Sequence, residues 1–210
     1  WPVVYGCMGS KKSRDSFNFG ETYSLEGRNT DCFEKVSGED SVIFNMPSYE
    51  IFTTPNKYTA EGIVFSSKPL IAYGNYIKDF CLEFKDGKII NFDASEGKDE
   101  LKNIIELDEE SSMLGEIALV DKNSKIAKSN ILFYETLYDE NASCHIAVGR
   151  GFKECIKDAE NMSSKELEKI GYNNSKNHVD IMVGTKDLNI KATTYDNKEI
   201  EIFKDGSFNI

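Results

Sequence analysis

The 210-residue chain lacks the features of nucleic-acid-binding and membrane proteins. Its 25 basic side chains are outnumbered by 36 acidic ones, and the net charge of −11 opposes contact with a polyphosphate backbone or an anionic lipid surface. No apolar run is long enough to cross a bilayer, and the first residues do not resemble a signal peptide. We therefore expect no nucleic-acid partner and no membrane association.

The cysteines also lack the number and spacing of a disulfide or metal-binding motif. The five cysteines are an odd number and none of them forms a CxxC pair, so neither a disulfide framework nor a thiolate zinc site is predicted. A reducing, cytoplasmic location is the expectation. The length suits a single domain spanning residues 1–210. The chain does not begin with Met, which suggests a piece of a longer protein.

The apolar patterning predicts an α+β fold with a mixed, largely antiparallel sheet and several short helices. The run FCLEFKDGKIINF contains Asp86-Gly87, a pair suited to a tight hairpin turn. The runs LGEIALV and HVDIMVG are typical of buried strands, and another strand pair is expected around Asp196 to Lys198. SVIFNMPSYEIFTTP indicates strand, turn and strand, whereas the first forty residues indicate peripheral strands and loops.

Helical spacing of apolar residues occurs in three segments. KDELKNIIELD, ILFYETLYDE and FKECIKDAENM each repeat apolar residues at three- or four-residue intervals. A last short helix should begin with the capping-box pair Ser163 and Glu166 and end at Gly171.

Histidine is rare, and its two occurrences are informative. His178 and Asp180 stand two residues apart in HVDIMVG, so on a strand both side chains point to the same face. An imidazole and a carboxylate presented in this way are a common pair of metal ligands. The alternative is an exposed pair on a solvated face, which is the more frequent outcome for HxD alone.

The other histidine, His145, closes the stretch DENASCH, in which Glu140 lies five residues earlier. The two side chains converge only if the chain turns between them, and residues 141–143 permit that turn. One alternative is a polar helix end followed by a buried, hydrogen-bonded histidine. A cysteine protease using Cys144 is disfavoured, because neighbouring residues normally project apart.

Two more carboxylates lie beside apolar runs, Glu50 in SYEIFTTP and Glu116 in LGEIALV. Burying an ionised carboxylate is costly unless it is paired or binds a cation. Either residue could instead lie at a strand edge and face water. Taken with the residues above, they complete a set of four acids and both histidines, which is the right number of ligands for two divalent ions.

Five stretches in this order carry a resemblance: NMPSYEIFTTP, AEGIVFSSKPLIAYGNYI, LGEIALV, FYETLYDENASCHIAVG and NNSKNHVDIMVG. Together they resemble the C-terminal half of the aminopeptidase T, aminopeptidase S and PepS family, the thermophilic metalloproteases. The resemblance extends from about Asn45 to the C-terminus and leaves residues 1–44 weakly matched. The blocks DENASCH and HVD are its most specific parts.

The resemblance implies a homodimeric metallo-aminopeptidase that hydrolyses the N-terminal bond of peptides with a free N-terminus. The reaction would use water activated by two divalent ions, zinc in the first place and cobalt as an option. The implied metal ligands are the six residues already singled out: Glu50, Glu116, Glu140, His145, His178 and Asp180. Glu116 is also the candidate for proton transfer.

The chain departs from the family pattern at two points. Phe152 stands where the family commonly has a tyrosine near the active site, so a hydroxyl that could stabilise an oxyanion is absent. A simpler interpretation is that Phe152 anchors a following helix. Family members are also about twice as long as this chain. A catalytically weak or silent metal-binding domain is therefore the alternative, and a metal-free peptide-binding domain is the third option.

Overall fold

The computed structural model describes residues 4–9, 17–22, 33–35, 41–43, 49–194 and 196–209. Within these ranges the chain is α+β and forms a single domain of short helices and antiparallel sheets, as the sequence predicts. The predicted loops among the first 44 residues lie outside the described ranges, as do the side chains of Cys7 and Cys32.

The strands, in chain order, are β1 (Val4–Gly9), β2 (Phe17–Thr22), β3 (Phe33–Lys35), β4 (Ser41–Ile43), β5 (Glu50–Thr53), β6 (Gly62–Phe65), β7 (Leu70–Ala72), β8 (Asn75–Lys85), β9 (Lys88–Glu96), β10 (Leu114–Val120), β11 (His145–Gly149), β12 (His178–Met182), β13 (Asn189–Thr193), β14 (Glu199–Lys204) and β15 (Ser207–Phe208). The α-helices are α1 (Lys98–Ile105), α2 (Lys125–Ser129), α3 (Thr136–Asp139) and α4 (Ser164–Lys169). Short 3-10 turns occupy Glu140–Ala142, Lys153–Cys155 and Ala159–Asn161. No α-helix of this described part is long and apolar enough to span a membrane.

Four sheets form from these strands, and every described pairing is antiparallel. The sheet that carries most of the candidate site residues has the order β12-β11-β10-β5. A five-stranded sheet, β15-β14-β13-β1-β2, and a sheet in which β8 pairs with β6, β7 and β9 complete the main framework, with β3 and β4 forming a separate pair.

The predicted hairpin is confirmed between β8 and β9. Asp86 and Gly87 both have positive φ, 49° and 81°, which is the backbone of a two-residue turn matched to the strand twist. A side chain at Gly87 would place its Cβ 2.0 Å from the carbonyl oxygen of Lys57, so only glycine fits. The turn thus fixes the register of the longest hairpin.

The structure confirms two of the helices that the sequence predicts. Helix α1 buries Leu101, Ile104 and Ile105, the residues that set its helical period. Helix α4 begins with the complete capping box of Ser163 and Glu166. It ends beside Gly171, whose φ of 80° is the left-handed conformation expected after a helix.

The other two predicted helices are largely wrong. Over 131–140 only the four residues of α3 are α-helical, because Tyr134 adopts a left-handed φ of 60° and breaks the run. Over 152–162 the chain forms two 3-10 turns, since Asp158 is also left-handed, with a φ of 59°. Phe152 therefore does not anchor an α-helix.

Alternation of side chains divides the β12-β11-β10-β5 sheet into an apolar and a polar face. Every residue of β10 is buried. Val179 and Ile181 of β12 enter the main hydrophobic core with Ile146 and Val148 of β11. The intervening residues of these strands therefore point to the opposite face, where the candidate site residues of the sequence analysis lie.

Candidate metal centre

The strand register gathers the predicted site residues on one face of the sheet. Glu116 of β10 lies opposite Ala147 of β11, which lies opposite Asp180 of β12. One step along, Ala118 lies opposite His145, so the same face is shared by both rows. The small alanines leave room above the sheet for the longer acidic and imidazole side chains on either side.

The remaining ligand candidates come from the sheet edges and one loop. Glu50 begins edge strand β5 and pairs with Val120, which places it on the ligand-bearing face. His178 begins β12 at the other edge. Glu140 lies in the 3-10 turn before β11 and is also buried.

Several of the side chains make direct contact. His178 Nε2 lies 3.1 Å from Glu116 Oε2 and 3.1 Å from Asp180 Oδ1. One ligand atom each from Glu116, His145 and Asp180 lies within 4.8 Å of the others, a spacing that a single ion can bridge. His145 Nε2 is 3.4 Å from Glu50 Oε2. The structure thus joins five of the six predicted residues through short contacts.

Both histidines are held in the orientation of a metal ligand. His178 Nδ1 is 2.6 Å from the carbonyl oxygen of Arg150, and His145 Nδ1 is 3.2 Å from that of Ser143. A carbonyl only accepts, so each Nδ1 carries a proton and donates it. The Nε2 atoms consequently point towards the carboxylates, as in sites where a backbone carbonyl orients a ligating imidazole.

Burial and neighbouring negative charges disfavour the ionised form of the carboxyl groups in this cluster. Burial raises the pKa of Glu50 to about 8, and the charges of Glu140, Glu116 and Asp180 add to that effect while His145 opposes it. This charge effect places Glu140 within electrostatic range of the cluster. Burial likewise raises the pKa of Glu116.

The pKa values of the two histidines are also raised, although burial acts on them in the opposite direction. Burial alone lowers the pKa of His178, but hydrogen bonds to Asp180 and Glu116 outweigh it and raise the pKa to about 11. The pKa of His145 is raised in the same way, by the carboxylates around it and against its burial. The positive charge of the protonated imidazoles thus offsets the negative charge of the buried carboxylates around them.

Protonation of the histidines still leaves one buried oxygen of the cluster without a hydrogen bond. Glu50 Oε2 is buried and makes no hydrogen bond to any described group, because the 3.4 Å approach of His145 lacks hydrogen-bond geometry. A buried polar atom without a hydrogen bond costs about 1–3 kcal/mol. Imidazole nitrogens and carboxylate oxygens are ligands that suit zinc and similar ions. The residues therefore fit a divalent metal.

The structure disfavours the cysteine-protease interpretation. Cys144 points into the hydrophobic core, away from the side of β11 that carries His145. Its Sγ contacts the backbone N–H and carbonyl of Val120, and burial raises the pKa of the thiol to about 12. A buried thiol of this kind is a poor nucleophile.

Phe152 borders the cluster without taking part in its polar contacts. Its ring meets the ring of His178 edge-on at 5.0 Å and lies 5.1 Å from that of Phe52. Its backbone N–H donates to Thr54 Oγ1 at 2.8 Å. The ring therefore packs against one side of the His178 imidazole.

The sequence interpretation missed a buried polar network behind His178. Ser175 Oγ lies 2.9 Å from Asp108 Oδ1 and 2.6 Å from Asn177 Oδ1, so these two acceptors share its one hydroxyl proton. The Asn177 carbonyl then accepts from the N–H of Arg150, the residue whose own carbonyl orients His178. The sequence feature that could have indicated this network is the polar run NNSKN directly before a buried strand.

This combination of a sheet-borne imidazole and carboxylate cluster defines the class of the molecule as a candidate divalent-metal protein. The thermophilic metalloprotease (M29) family matches residues 26–208. The chain belongs to this family.

Individual relatives agree with that assignment. Over 164 residues the chain is 48% identical to aminopeptidase AmpS of Bacillus subtilis (strain 168), covering 78% of this chain and 40% of the relative. It is 33% identical over 162 residues to aminopeptidase T of Thermus aquaticus, covering 77% and 39%. The chain thus spans about two fifths of the length of these curated relatives.

Solved structures show the same fold. Wild-type AmpT from Thermus thermophilus superposes with a TM-score of 0.82 at 25% identity, over 99% of this chain and 50% of that one. A 2,5-dihydroxypyridine dioxygenase from Pseudomonas putida KT2440 shares the fold at a TM-score of 0.59 and 16% identity, over 98% and 55%.

Proposed function

We propose that this chain carries the dinuclear metal centre of a cytoplasmic metallo-aminopeptidase that acts on peptides with a free N-terminus. The proposed ligands are Glu50, Glu116, Glu140, His145, His178 and Asp180, with zinc as the first choice of metal and cobalt as the second. The observation that carries the proposal is the buried Glu50 oxygen, which makes no hydrogen bond to a described group, beside a cluster of acids and imidazoles. The names of the relatives supply the reaction class.

The chemistry divides between the metal and the protein. When bound, divalent ions supply an activated water and a Lewis acid for the scissile carbonyl. Glu116, buried in the middle of the sheet with a raised pKa, is the proposed residue that takes a proton and passes it to the leaving amine. The excess of carboxylates also suits a cationic α-ammonium group, which favours cleavage at a free N-terminus over internal cleavage.

Two residues beside the cluster are assigned to positioning His178. The Arg150 carbonyl accepts from the His178 ring, and the Phe152 ring packs against it. A homodimer is the proposed assembly, and it follows from the family resemblance alone.

The proposal is tested by metal content and turnover in the same preparation. We expect two ions per chain after dialysis against zinc, and hydrolysis of leucine-p-nitroanilide that a chelator abolishes and zinc or cobalt restores. His178→Ala should lose at least one ion and the turnover, with a loss of affinity greater than the roughly 10–100-fold typical when a residue supporting a ligand is removed.

Glu160→Ala, which removes an exposed acid, serves as the matched control and should bind metal as the original chain does. Unchanged turnover in His178→Ala would refute the site. A chain with no bound metal would refute it as well.

The second candidate is a metal-binding domain with little or no catalysis. Phe152, which offers no hydroxyl beside His178, favours it. Two bound ions without chelator-sensitive turnover would support this candidate over the enzyme, and restored turnover in Phe152→Tyr would assign the loss to the missing hydroxyl.

A further inference from the structure

A cavity of about 200 Å³ lies between the end of β10, the residues that follow β12 and the turn that joins β14 to β15. None of the six proposed metal ligands lines it. Its apolar wall is formed by the buried residues Val120, Cys144 and Phe203. One water needs about 10–15 Å³ by the same measure, so the cavity has room for a small organic molecule.

The charged residues that line this cavity are all basic. They are Lys68, Lys122 and Lys186, and no described Asp or Glu lines the cavity with them. In the whole chain, by contrast, 36 acidic side chains outnumber 25 basic ones. The local charge is therefore opposite in sign to the net charge of the chain. An anion is attracted to this cavity and a cation is repelled from it.

The positive charges of the three lysines are not neutralised by acids of the described ranges. Neither Lys68 nor Lys186 forms an ion pair with a carboxylate there. Lys122 Nζ donates to the backbone carbonyl of Asp205, which carries no net charge. All three ammonium groups thus keep their charge for a ligand.

The acids next to these lysines in the sequence do not line the cavity. The carboxylate of Asp187 accepts from Thr185 Oγ1 at 2.7 Å. The carboxylate of Asp121 accepts from the N–H of Phe208 at 3.2 Å. Asp205 is likewise absent from the cavity wall. These carboxylates therefore do not take the place that an anionic ligand would occupy.

Backbone hydrogen bonds hold the three lysine-bearing segments in place. The N–H of Ser67, one residue before Lys68, donates to the carbonyl of the last residue of β12 at 2.7 Å. The N–H of Lys122 donates to the carbonyl of Gly206, and the N–H of Gly206 donates to the carbonyl of Leu188, both at 2.8 Å. Lysines that are remote along the chain are thus brought to one cavity by ordered backbone.

We propose that this cavity binds a small molecule that carries a phosphate group, with the lysines around the phosphate and the organic part against the apolar wall. Lysine is a common phosphate ligand, and a phosphate monoester carries a charge of about −1.5 to −2 at neutral pH. The net charge of −11 opposes a polyanion such as nucleic acid. A small anion is governed by nearer charges, because physiological salt screens those beyond about 8 Å.

Calorimetric titration tests the site without any measurement of turnover, so its outcome is independent of the proposed function. The probes are phenyl phosphate, inorganic phosphate and benzoate, and the chain is used as purified with any bound metal left in place. We expect one phenyl phosphate per chain with a Kd of about 1 mM or lower. Benzoate, which has the same ring and a single carboxylate charge, should bind more weakly. Equal affinity for benzoate and phenyl phosphate would refute the choice of phosphate.

The comparison with inorganic phosphate identifies the source of the phosphate group. Phenyl phosphate that binds at least about fivefold more tightly than inorganic phosphate would show that the apolar wall contacts the ring, and would identify an organic phosphate as the ligand. Equal affinity would identify free phosphate as the ligand. Either result supports the site, whereas no saturable binding of either compound would refute it.

Lysine variants locate the binding. Lys68→Gln and Lys186→Gln should each weaken phenyl phosphate binding about 10-fold, as expected for the loss of one charge-assisted hydrogen bond. Lys186→Arg keeps the charge and should keep the binding. Lys125→Gln is the matched control, because it removes an exposed lysine of α2 that does not line the cavity. Its affinity should stay as in the original chain.

Thermal unfolding of each variant shows that lost binding is not lost folding. Original affinity in the double variant Lys68→Gln, Lys186→Gln would overturn the proposal. Phosphate bound to a metal ion would give that same result, because the proposed metal ligands lie outside the cavity.

Discussion

Asn177 connects the C-terminal end of a helix to the candidate metal centre, and its truncation should affect both. Its Nδ2 donates to the carbonyl of Ile104 at 3.0 Å, in the last turn of α1, where carbonyls have no partner within the helix. Its Oδ1 lies 2.6 Å from Ser175 Oγ and shares the serine hydroxyl proton with Asp108. Only 3% of Asn177 is exposed, so water does not replace these partners readily.

The magnitude for Asn177→Ala follows from these contacts. The Ile104 carbonyl loses its buried partner, whereas Ser175 retains Asp108. One stranded buried group and one lost hydrogen bond together lower the free energy of unfolding by about 2–3 kcal/mol. For a chain of this size that corresponds to a fall in Tm of roughly 5–10 °C.

Asn177→Ala should also weaken the binding of zinc. The backbone of residue 177 holds the Arg150 N–H, and the Arg150 carbonyl holds His178, so a shift of this segment turns the imidazole. We expect zinc to bind about 10-fold more weakly. Thermal unfolding and zinc titration of Asn177→Ala and of Asn103→Ala, an exposed asparagine in α1, measure both effects. Equal Tm values for the two variants would refute the reasoning.

Three further predictions concern other buried or partly buried groups. Hydrogen bonds lower the pKa of Asp108 from 3.8 to about 2 despite its partial burial, so its stabilisation is complete above about pH 4 and is lost as the pH falls towards 2. Asp108→Asn should therefore cost about 1 kcal/mol at pH 7, after screening, and less near pH 2 in urea unfolding. Lys57→Met should cost about 2 kcal/mol in the same assay, because the enclosed ammonium contacts Glu110 and Glu168 at 2.9 and 2.8 Å; wild-type stability would contradict this. Cys144 should resist iodoacetamide at pH 8 until the chain is unfolded, and mass mapping that finds it alkylated in the native protein would contradict its burial.

Local patterns predicted the elements whose conformation is decided locally. The Asp86-Gly87 turn and the Ser163 and Glu166 capping box carry their geometry in the residue types themselves. The His178 and Asp180 pair was predictable for the same reason, since strand alternation alone puts both side chains on one face.

Prediction failed where distant or side-chain contacts decide the backbone. The apolar period of 131–140 favours a helix, but the Asp139 carboxylate binds the N–H groups around Tyr134 and holds a left-handed turn instead. Periodicity contains no information about such a clamp. The polar run NNSKN marks the segment of Ser175 but not its partner, because Asp108 lies far away in the sequence.

The sheet that holds the candidate ligands has one consequence for how the chain would respond to metal. Glu50 lies on edge strand β5 and His178 on the opposite edge, with Glu116 and His145 on the strands between. A divalent ion held by these residues would act as a reversible cross-link between segments that are remote along the chain. The free energy of unfolding of the four-stranded sheet would then depend on metal concentration. A chelator would lower both this stability and the activity.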